Sequence, residues 1–238
     1  MGNSISADLV RYGIIGTASI AVNSHIPAAS ESKNSEILSI SSRNEATASK
    51  VAAKYSIPKW WGSYEELLKD PDLDAVINPL PNSMHCEWTV KAAEAGKHIL
   101  CEKPLALTTD EARRMIHAAN ANNVLLVEAF THRWLSPLRR IRELIQTDTI
   151  GQVTSLYSSL TFSVEQPKDN IRFSPELRGG SLLDAGSYAV SACRFVLGED
   201  PIRATGVRYD SGKYGVDTTF NGLLEFPRGT VAHISSSF

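Results

Sequence analysis

The chain has 238 residues, with 24 basic and 26 acidic side chains and a formal net charge of −2. A chain this close to neutral has no global basic field, so we expect neither a nucleic-acid partner nor an anionic membrane surface. With 42% hydrophobic and 21% charged residues, and no apolar run near the roughly 20 residues of a membrane span, the composition is typical of a globular protein.

The cysteines and the N-terminus indicate a cytoplasmic location. Cys86, Cys101 and Cys193 are odd in number and widely scattered, which argues against a secreted disulfide framework. No charged segment followed by an apolar one marks a secretory signal. Residues 1–6 formally match an acylation pattern, but no basic cluster follows to supply the second signal that stable membrane anchoring needs.

The first part of the chain alternates short apolar strands with helices. Strands are predicted at 10–16, 36–42, 75–78, 98–101 and 124–127, and helices at 45–55, 63–70, 83–95 and 108–121. Ser63 and Thr108 each stand three residues before a glutamate, which is the capping box that begins a helix. This alternation predicts βαβ units around a doubly wound parallel sheet, so we assign residues 1–150 to an N-terminal Rossmann domain.

The pattern changes near residue 150. Between 154 and 164 the side chains alternate in the manner of a long half-buried strand, which is typical of an antiparallel sheet. A helix is predicted at about 181–197, followed by two strands that a turn at 226–229 joins. We therefore expect residues 151–238 to form an α+β domain with a mainly antiparallel open sheet, in an α/β protein.

A glycine turn follows the first strand and opens a helix. Gly16 and Ala21 fit the dinucleotide pattern G-x-G-x-x-G/A, whereas Ala18 stands where the second glycine belongs. The turn could also be a plain strand-to-helix connection, but its place in the first βαβ unit favours a dinucleotide site. The residues expected to contact the cofactor there are Gly16, Thr17, Ala18 and Ile20.

The end of the second strand favours NADP over NAD. NAD sites commonly have an acidic side chain there, yet the strand ends in Ser42 and Arg43, with no acid until Glu45. A hydroxyl and a guanidinium suit a 2′-phosphate. The alternative is that Arg43 is a solvated surface charge and that the cofactor is NAD.

Three further segments carry a family resemblance. They are PLPNSMH at 79–85, CEKP at 101–104 and GGSLLDAGSY at 179–188. Together with the glycine turn they resemble the glucose-fructose oxidoreductase / inositol dehydrogenase / MocA family over nearly the whole chain.

Other residues resemble one branch of that family, the dimeric dihydrodiol dehydrogenases and NADP-linked D-xylose dehydrogenases. These residues are Glu128, Ala129, Phe130, Arg133 and Tyr188. The resemblance implies hydride transfer between nicotinamide and a carbon of a small-molecule sugar or polyol. It also implies a C-terminal sheet that covers the active site or mediates assembly, so we expect a homodimer or a higher homo-oligomer.

The resemblance assigns the catalytic roles to Lys103, Asp184 and Tyr188, the last at an acid/base position that is histidine in many relatives. A free tyrosine has a pKa of about 10, so it acts as a base near neutral pH only if a cation such as that of Lys103 stabilises its phenolate. Each residue also has a plainer interpretation. Lys103 could be a turn lysine, Asp184 a residue favoured by the helix dipole, and Tyr188 a packed core aromatic.

The loops after the fourth and fifth strands are expected to complete the cofactor site. The residues proposed there are Pro81, Asn82, His85, Glu102 and Lys103, although His85 could equally be a structural histidine. No histidines or cysteines stand at metal-ligand spacing, so no metal is expected.

Two rival functions remain open. One is a regulatory protein that senses NAD(P) on the same fold, and the other is a glycoside hydrolase that uses NAD for transient oxidation. The final segment, 230–238, alternates like a strand and stops without a turn or cap. Because members of the resembled family continue beyond this point, we expect the second sheet to be incomplete here.

Overall fold

A computed structural model describes residues 9–165 and 170–238. The segment 1–6, which matches an acylation pattern, lies outside the described residues. The chain divides into two compact units, Met1–Ala129 and Phe130–Phe238.

The first unit is built on a six-stranded parallel sheet with the strand order β3-β2-β1-β4-β5-β6. Its strands are β1 (Val10–Ile15), β2 (Ser35–Ser41), β3 (Lys59–Trp61), β4 (Ala75–Asn78), β5 (His98–Cys101) and β6 (Leu126–Glu128). Its helices are α1 (Ile26–Glu31), α2 (Glu45–Tyr55), α3 (Tyr64–Leu68), α4 (His85–Glu94) and α5 (Thr109–Ala121). The predicted doubly wound Rossmann architecture is confirmed.

Local sequence signals explain most of these elements. The apolar runs of β1 and β4 are buried on both faces, as in central strands of parallel sheets. The hydroxyls of Ser63 and Thr108 accept hydrogen bonds from the N–H groups three residues later and so begin α3 and α5. The segment after the glycine turn begins with a π-helical turn, Ala21–His25, before α1 becomes regular.

The second unit has a four-stranded mixed sheet with the order β7-β10-β9-β8. Its strands are β7 (Ser155–Thr161), β8 (Arg203–Tyr209), β9 (Thr219–Glu225) and β10 (Val231–Ser237). Its helices are α6 (Ser136–Gln146) and α7 (Ser187–Leu197), with a π-helical turn, Leu182–Gly186, before α7. Strands β8, β9 and β10 are antiparallel, but β7 pairs with β10 in parallel, so the expectation of an antiparallel setting for β7 is wrong. Alternating polarity reports a half-buried strand and carries no information about the direction of its neighbour.

The boundary between the two units falls after Ala129, earlier in the sequence than the expected boundary at 150, because α6 belongs to the second unit. Leu138 and Ile145 of α6 pack against the core that Cys193 and Val196 of α7 form with Leu224 of β9. A helix that precedes a strand in sequence can share its core, and a change in residue periodicity alone does not show that.

The cysteines are all free and buried. Burial raises the pKa of the Cys101 thiol to about 12 and that of Cys193 to about 11, so both behave as packed thiols. Within residues 9–165 and 170–238, no helix is long and apolar enough to cross a membrane.

Candidate functional site

The residues predicted for the first unit follow neighbouring strands of its parallel sheet. The glycine turn follows β1, Ser42 and Arg43 follow β2, the loop with Pro81 follows β4, and Lys103 follows β5. Because β2, β1, β4 and β5 are adjacent and parallel, these segments all leave the sheet at its carboxyl edge. That edge is where open α/β sheets bind ligands.

The turn after β1 requires glycine at its first position. Gly16 has φ +94°, and a Cβ there would lie 3.0 Å from Leu80 Cδ2. The left-handed conformation strains any other residue at this position, and an added Cβ would also crowd the Leu80 side chain. Ala18 accepts hydrogen bonds from the N–H groups of Ala21 and Val22 at 3.0 and 3.2 Å, so the next residues wind directly into a helix.

The segment after β2 presents an exposed guanidinium beside a helix N-terminus. Ser42 Oγ accepts from Asn44 N at 3.3 Å, and the Asn44 side chain accepts from Thr47 N at 3.1 Å to cap α2. Arg43 is exposed between these two polar residues. A cation next to a helix N-terminus is a suitable place for a phosphate group.

The loop after β4 is fixed from within. Asn78, fully buried at the end of β4, donates to His85 O at 3.2 Å and accepts from Leu80 N at 3.4 Å. Asn82 begins a 3₁₀ turn, Asn82–Met84, which leads into α4. The sequence did not single out Asn78, although a buried amide at the end of a central strand is an unusual residue for that place.

His85 lies in the interior rather than on the surface of the site. Its side chain is buried, with Nδ1 2.8 Å from Pro104 O and Nε2 2.8 Å from Leu80 O. Burial lowers the pKa of His85 even though both carbonyl contacts favour the charged ring. The geometry favours the structural interpretation of His85, as a link between the loops after β4 and β5.

The segment that carries Lys103 is held by the side chains around it. Lys103 N donates to Glu102 Oε2 at 3.2 Å, and Leu105 N donates to Glu128 Oε1 at 2.8 Å. The ring of His85 contacts Pro104 O, so side chains contact a backbone polar group of each of three successive residues, Lys103, Pro104 and Leu105. Glu128 was noticed only for its family resemblance, yet it ends β6 at the carboxyl edge, where the strand order places it beside β5.

In the second unit, Asp184 lies in the π-helical turn before α7 and forms an ion pair with Arg172. Arg172 Nε donates to Asp184 Oδ2 at 2.6 Å, and its guanidinium lies 5.5 Å from the centre of the Phe162 ring. The backbone of Arg172 also contributes, because its carbonyl oxygen accepts from Gly180 N at 2.9 Å. The carboxylate of Asp184 is therefore oriented by a cation twelve residues before it.

Asp217 fixes the start of the same helical segment. Its carboxylate accepts from Ser181 Oγ at 2.8 Å and from Leu182 N at 2.7 Å. Gly180 has φ +108°, and a Cβ there would overlap with Asp217 Oδ1. The absence of a side chain at Gly180 thus lets the Asp217 carboxylate cap the turn that carries Asp184.

Tyr188 is half-buried on α7 within an aromatic cluster. Its ring lies 5.5 Å from that of Phe130 and 5.3 Å from that of His132, both in edge-on arrangements. Burial, with a smaller contribution from Arg133, lowers the pKa of His132, and neither ring nitrogen has a hydrogen-bond partner among the described residues. The cluster fixes the ring of Tyr188 by packing.

The site in the second unit predicts a difference between two glycines with positive φ. Gly212 has φ +72° and no atom within 4 Å of its Cβ position. Gly212→Ala should cost about 1 kcal/mol for the left-handed conformation alone. Gly180→Ala should cost a further ~1–3 kcal/mol because of the overlap with Asp217. Denaturant unfolding measures both, and equal costs would contradict the role assigned to Asp217.

His85 predicts a dependence of stability on pH. Folding lowers the pKa of His85. The neutral ring therefore contributes fully to the free energy of unfolding above the pKa of histidine in the unfolded chain, about 6.5, and this contribution declines as the pH falls below that value. His85→Gln should be less stable than the unmodified protein by about 1–3 kcal/mol at pH 7.5, because it loses the packing of the ring and the one hydrogen bond that a neutral imidazole can donate. Denaturant unfolding between pH 7.5 and 5 should show this gap narrowing. A gap that stays constant or widens in acid, or one matched by exposed His117→Gln, would contradict the assignment.

Comparison with known proteins supplies the family. A model described as an oxidoreductase family with an NAD-binding Rossmann fold matches residues 10–130, and one for the GFO/IDH/MocA C-terminal domain matches residues 138–238. The chain is 44% identical to D-xylose 1-dehydrogenase (NADP(+)) 2 of Haloferax volcanii, over 95% of this chain and 69% of that protein. It is 33% identical to trans-1,2-dihydrobenzene-1,2-diol dehydrogenase of Xenopus laevis, over 95% and 68%.

A solved structure agrees with these relatives. The 3-ketoreductase from Actinomadura kijaniata, in complex with NADP and TDP-benzene, superposes with a TM-score of 0.89 at 31% identity, over 96% of this chain and 70% of that one. Sequence and structure therefore give the same result: the chain belongs to the Gfo/Idh/MocA family of oxidoreductases with an NAD-binding Rossmann fold.

Proposed function

We propose that this oxidoreductase transfers a hydride between NADP and a carbon of a sugar, a polyol or a related carbonyl compound. The observation that carries the proposal is the Lys103 segment, whose backbone is fixed by side chains at the same sheet edge as the glycine turn. A lysine held in this way at a ligand-binding edge suits a reaction at a substrate oxygen. The names of the relatives, a D-xylose dehydrogenase, a dihydrodiol dehydrogenase and a sugar-nucleotide reductase, support the substrate class.

The first unit fits a dinucleotide. The cradle at Gly16, which a Cβ would fill, suits the diphosphate, and Arg43 beside the α2 N-terminus suits a 2′-phosphate. When bound, the nicotinamide ring accepts or donates the hydride. The residues proposed to hold the cofactor are Gly16, Thr17, Ala18, Ile20, Ser42, Arg43, Pro81, Asn82, Glu102 and Lys103.

The proposed proton transfer uses Tyr188 and Lys103. In the oxidative direction the Tyr188 oxygen is the proposed acceptor of the substrate hydroxyl proton, and its phenolate form near neutral pH requires a cation, the role proposed for the Lys103 ammonium. Asp184, held by Arg172, is proposed to orient the substrate hydroxyls. Solved structures of the Actinomadura ketoreductase include one with a tyrosine changed to phenylalanine and one with a lysine changed to alanine, the residue types assigned here.

The second unit supports assembly with another copy of the chain through the open face of its sheet. Large side chains are exposed along that sheet, including Tyr157, Val207 and Tyr209 at 76%, 75% and 63%. The ring of Tyr157 stacks on that of His233 at 4.4 Å, which extends the flat surface across β7 and β10. We propose this face as the contact of a homodimer or of a higher homo-oligomer.

Lys103→Met tests the mechanism. The change removes the cation and keeps most of the side-chain volume, so turnover should fall by about 10²–10⁴-fold. NADPH binding, followed by fluorescence titration, should persist because most of the proposed cofactor residues, including the glycine turn and Arg43, are unchanged. Turnover is measured by NADPH absorbance with a panel of aldoses, polyols and diketones.

Lys33→Met is the matched control, because Lys33 is exposed before β2 at the opposite edge of the sheet. It should keep full activity. An active Lys103→Met enzyme would refute the mechanism. Wild-type protein that binds NADPH and turns over no substrate of the panel would favour the sensing function instead.

Arg43→Ala tests the cofactor. If Arg43 holds the 2′-phosphate, its loss removes charge-assisted hydrogen bonds and should weaken NADPH by roughly 10–100-fold. The affinity for NADH should change by less than about threefold, because NADH lacks that phosphate. Arg113→Ala, on the exposed surface of α5, should change neither affinity. Equal effects of Arg43→Ala on both cofactors would show that the cofactor is not selected by Arg43.

A further inference from the structure

One histidine that the mechanism does not use lies against the Lys103 segment. His25 ends the π-helical turn Ala21–His25, which follows the glycine turn. Its Nε2 donates to Glu102 Oε1 at 2.8 Å, and the side chains are only 13% and 12% exposed. The pair therefore joins the helix that opens at the cofactor turn to the residue directly before Lys103.

Both oxygens of the Glu102 carboxylate are in use. Oε1 accepts from His25, and Oε2 accepts from the backbone N–H of Lys103 at 3.2 Å. The backbone of Glu102 is itself fixed, because its N–H donates to Asn78 O at 3.0 Å. Hydrogen bonds at both oxygens restrain the rotation of the carboxylate, so Glu102 connects His25 to the Lys103 N–H.

Stability alone does not explain this pair. Two nearly buried polar groups are desolvated to form it, and an apolar pair of similar volume would commonly be as stable. The π-helical turn is a second feature that stability alone does not explain, because such turns are rare. It is closed by a hydrogen bond from Ile26 N to Ala21 O. The extra residue in that turn changes the angular position at which His25 leaves the helix.

We propose that His25 is a positioning residue: through Glu102 it fixes the backbone of Lys103 relative to the helix that follows the cofactor turn. This inference rests on the proposed function for its catalytic consequence, although the contact itself lies within the first unit. His25 acts through Glu102, so its loss should impair turnover more than it impairs cofactor binding.

The test compares His25→Leu, which cannot donate to Glu102, with His25→Gln, whose side-chain amide can. His25→Leu should lower kcat by about 10–100-fold, the scale expected when a catalytic group is misplaced. Its Kd for NADPH, from fluorescence titration, should change by less than about threefold because no group that holds the cofactor is removed. His25→Gln should recover most of kcat. His117→Gln, exposed on α5, is the control and should match the unmodified protein.

Two further measurements separate positioning from general destabilisation. His25→Leu combined with Glu102→Gln should lower kcat no further than Glu102→Gln alone, because both changes break the same connection. By NMR, His25→Leu should speed hydrogen exchange at the Lys103 amide by about tenfold and leave the Leu105 amide, which is held by Glu128, unchanged.

The outcomes distinguish this inference from the proposed function. If the unmodified protein binds NADPH and turns over a substrate, full activity in His25→Leu overturns the inference and leaves the function intact. Additive effects in the double variant, or failure of His25→Gln to recover kcat, also overturn it. If the unmodified protein neither binds NADPH nor turns over a substrate, the proposed function fails, and the effect of His25 on kcat fails with it. Unchanged exchange at Lys103 would refute the contact independently of any activity.

Discussion

Buried backbone must find hydrogen-bond partners, and the candidate site in the first unit depends on how this is done after β5. The chain leaves the sheet after Cys101, and the bond from Glu102 N to Asn78 O at 3.0 Å is the last that β4 supplies to it. Side chains supply the missing partners: Glu102 for Lys103 N, His85 for Pro104 O and Glu128 for Leu105 N. Two of these three side chains come from elements distant in sequence. The position of the lysine therefore depends on the register of the sheet and on the packing of α4.

Both units contain a π-helical turn. Each precedes a helix and itself contains a residue of interest, His25 in Ala21–His25 before α1 and Asp184 in Leu182–Gly186 before α7. A π-turn has weaker internal packing than an α-turn, so it persists where surrounding contacts favour it. The contacts are visible here: His25 pairs with Glu102, and Asp184 pairs with Arg172. In both cases the wide turn directs a polar side chain to a charged partner that regular helical spacing does not identify.

Sequence reasoning succeeded where local signals determine the structure. Central strands such as β4 and β5 are short apolar runs, and α5 begins with a capping residue, so their bounds follow from a few residues each. The carboxyl-edge rule then collects the candidate residues of the first unit, because parallel strands end on the same side. The rule did not separate surface from interior, so His85 was grouped with the cofactor residues although its ring is buried between two carbonyl groups.

Long-range pairing limited the rest of the prediction. The alternation in β7 is the same whether its neighbour is parallel or antiparallel, and β3 has only three residues to show any pattern. The ion pair of Arg172 with Asp184 and the capping by Asp217 join residues that lie apart along the chain. Spacing within a motif does not reveal them. The two glycines of GGSLLD do point to such neighbours, since a Cβ at Gly179 would overlap with Arg172 O and one at Gly180 with Asp217 Oδ1.

The two units thus fix their candidate residues by different physical means. In the first, the ends of parallel strands bring the residues to one sheet edge, and the side chains of Glu102, His85 and Glu128 hold the backbone after β5. In the second, Asp184 and Tyr188 stand on one helical segment whose place depends on individual side chains, including Asp217, Arg172 and the ring of Phe130. A single substitution among those contacts can move Asp184 and Tyr188 without changing the carboxyl edge of the parallel sheet in the first unit.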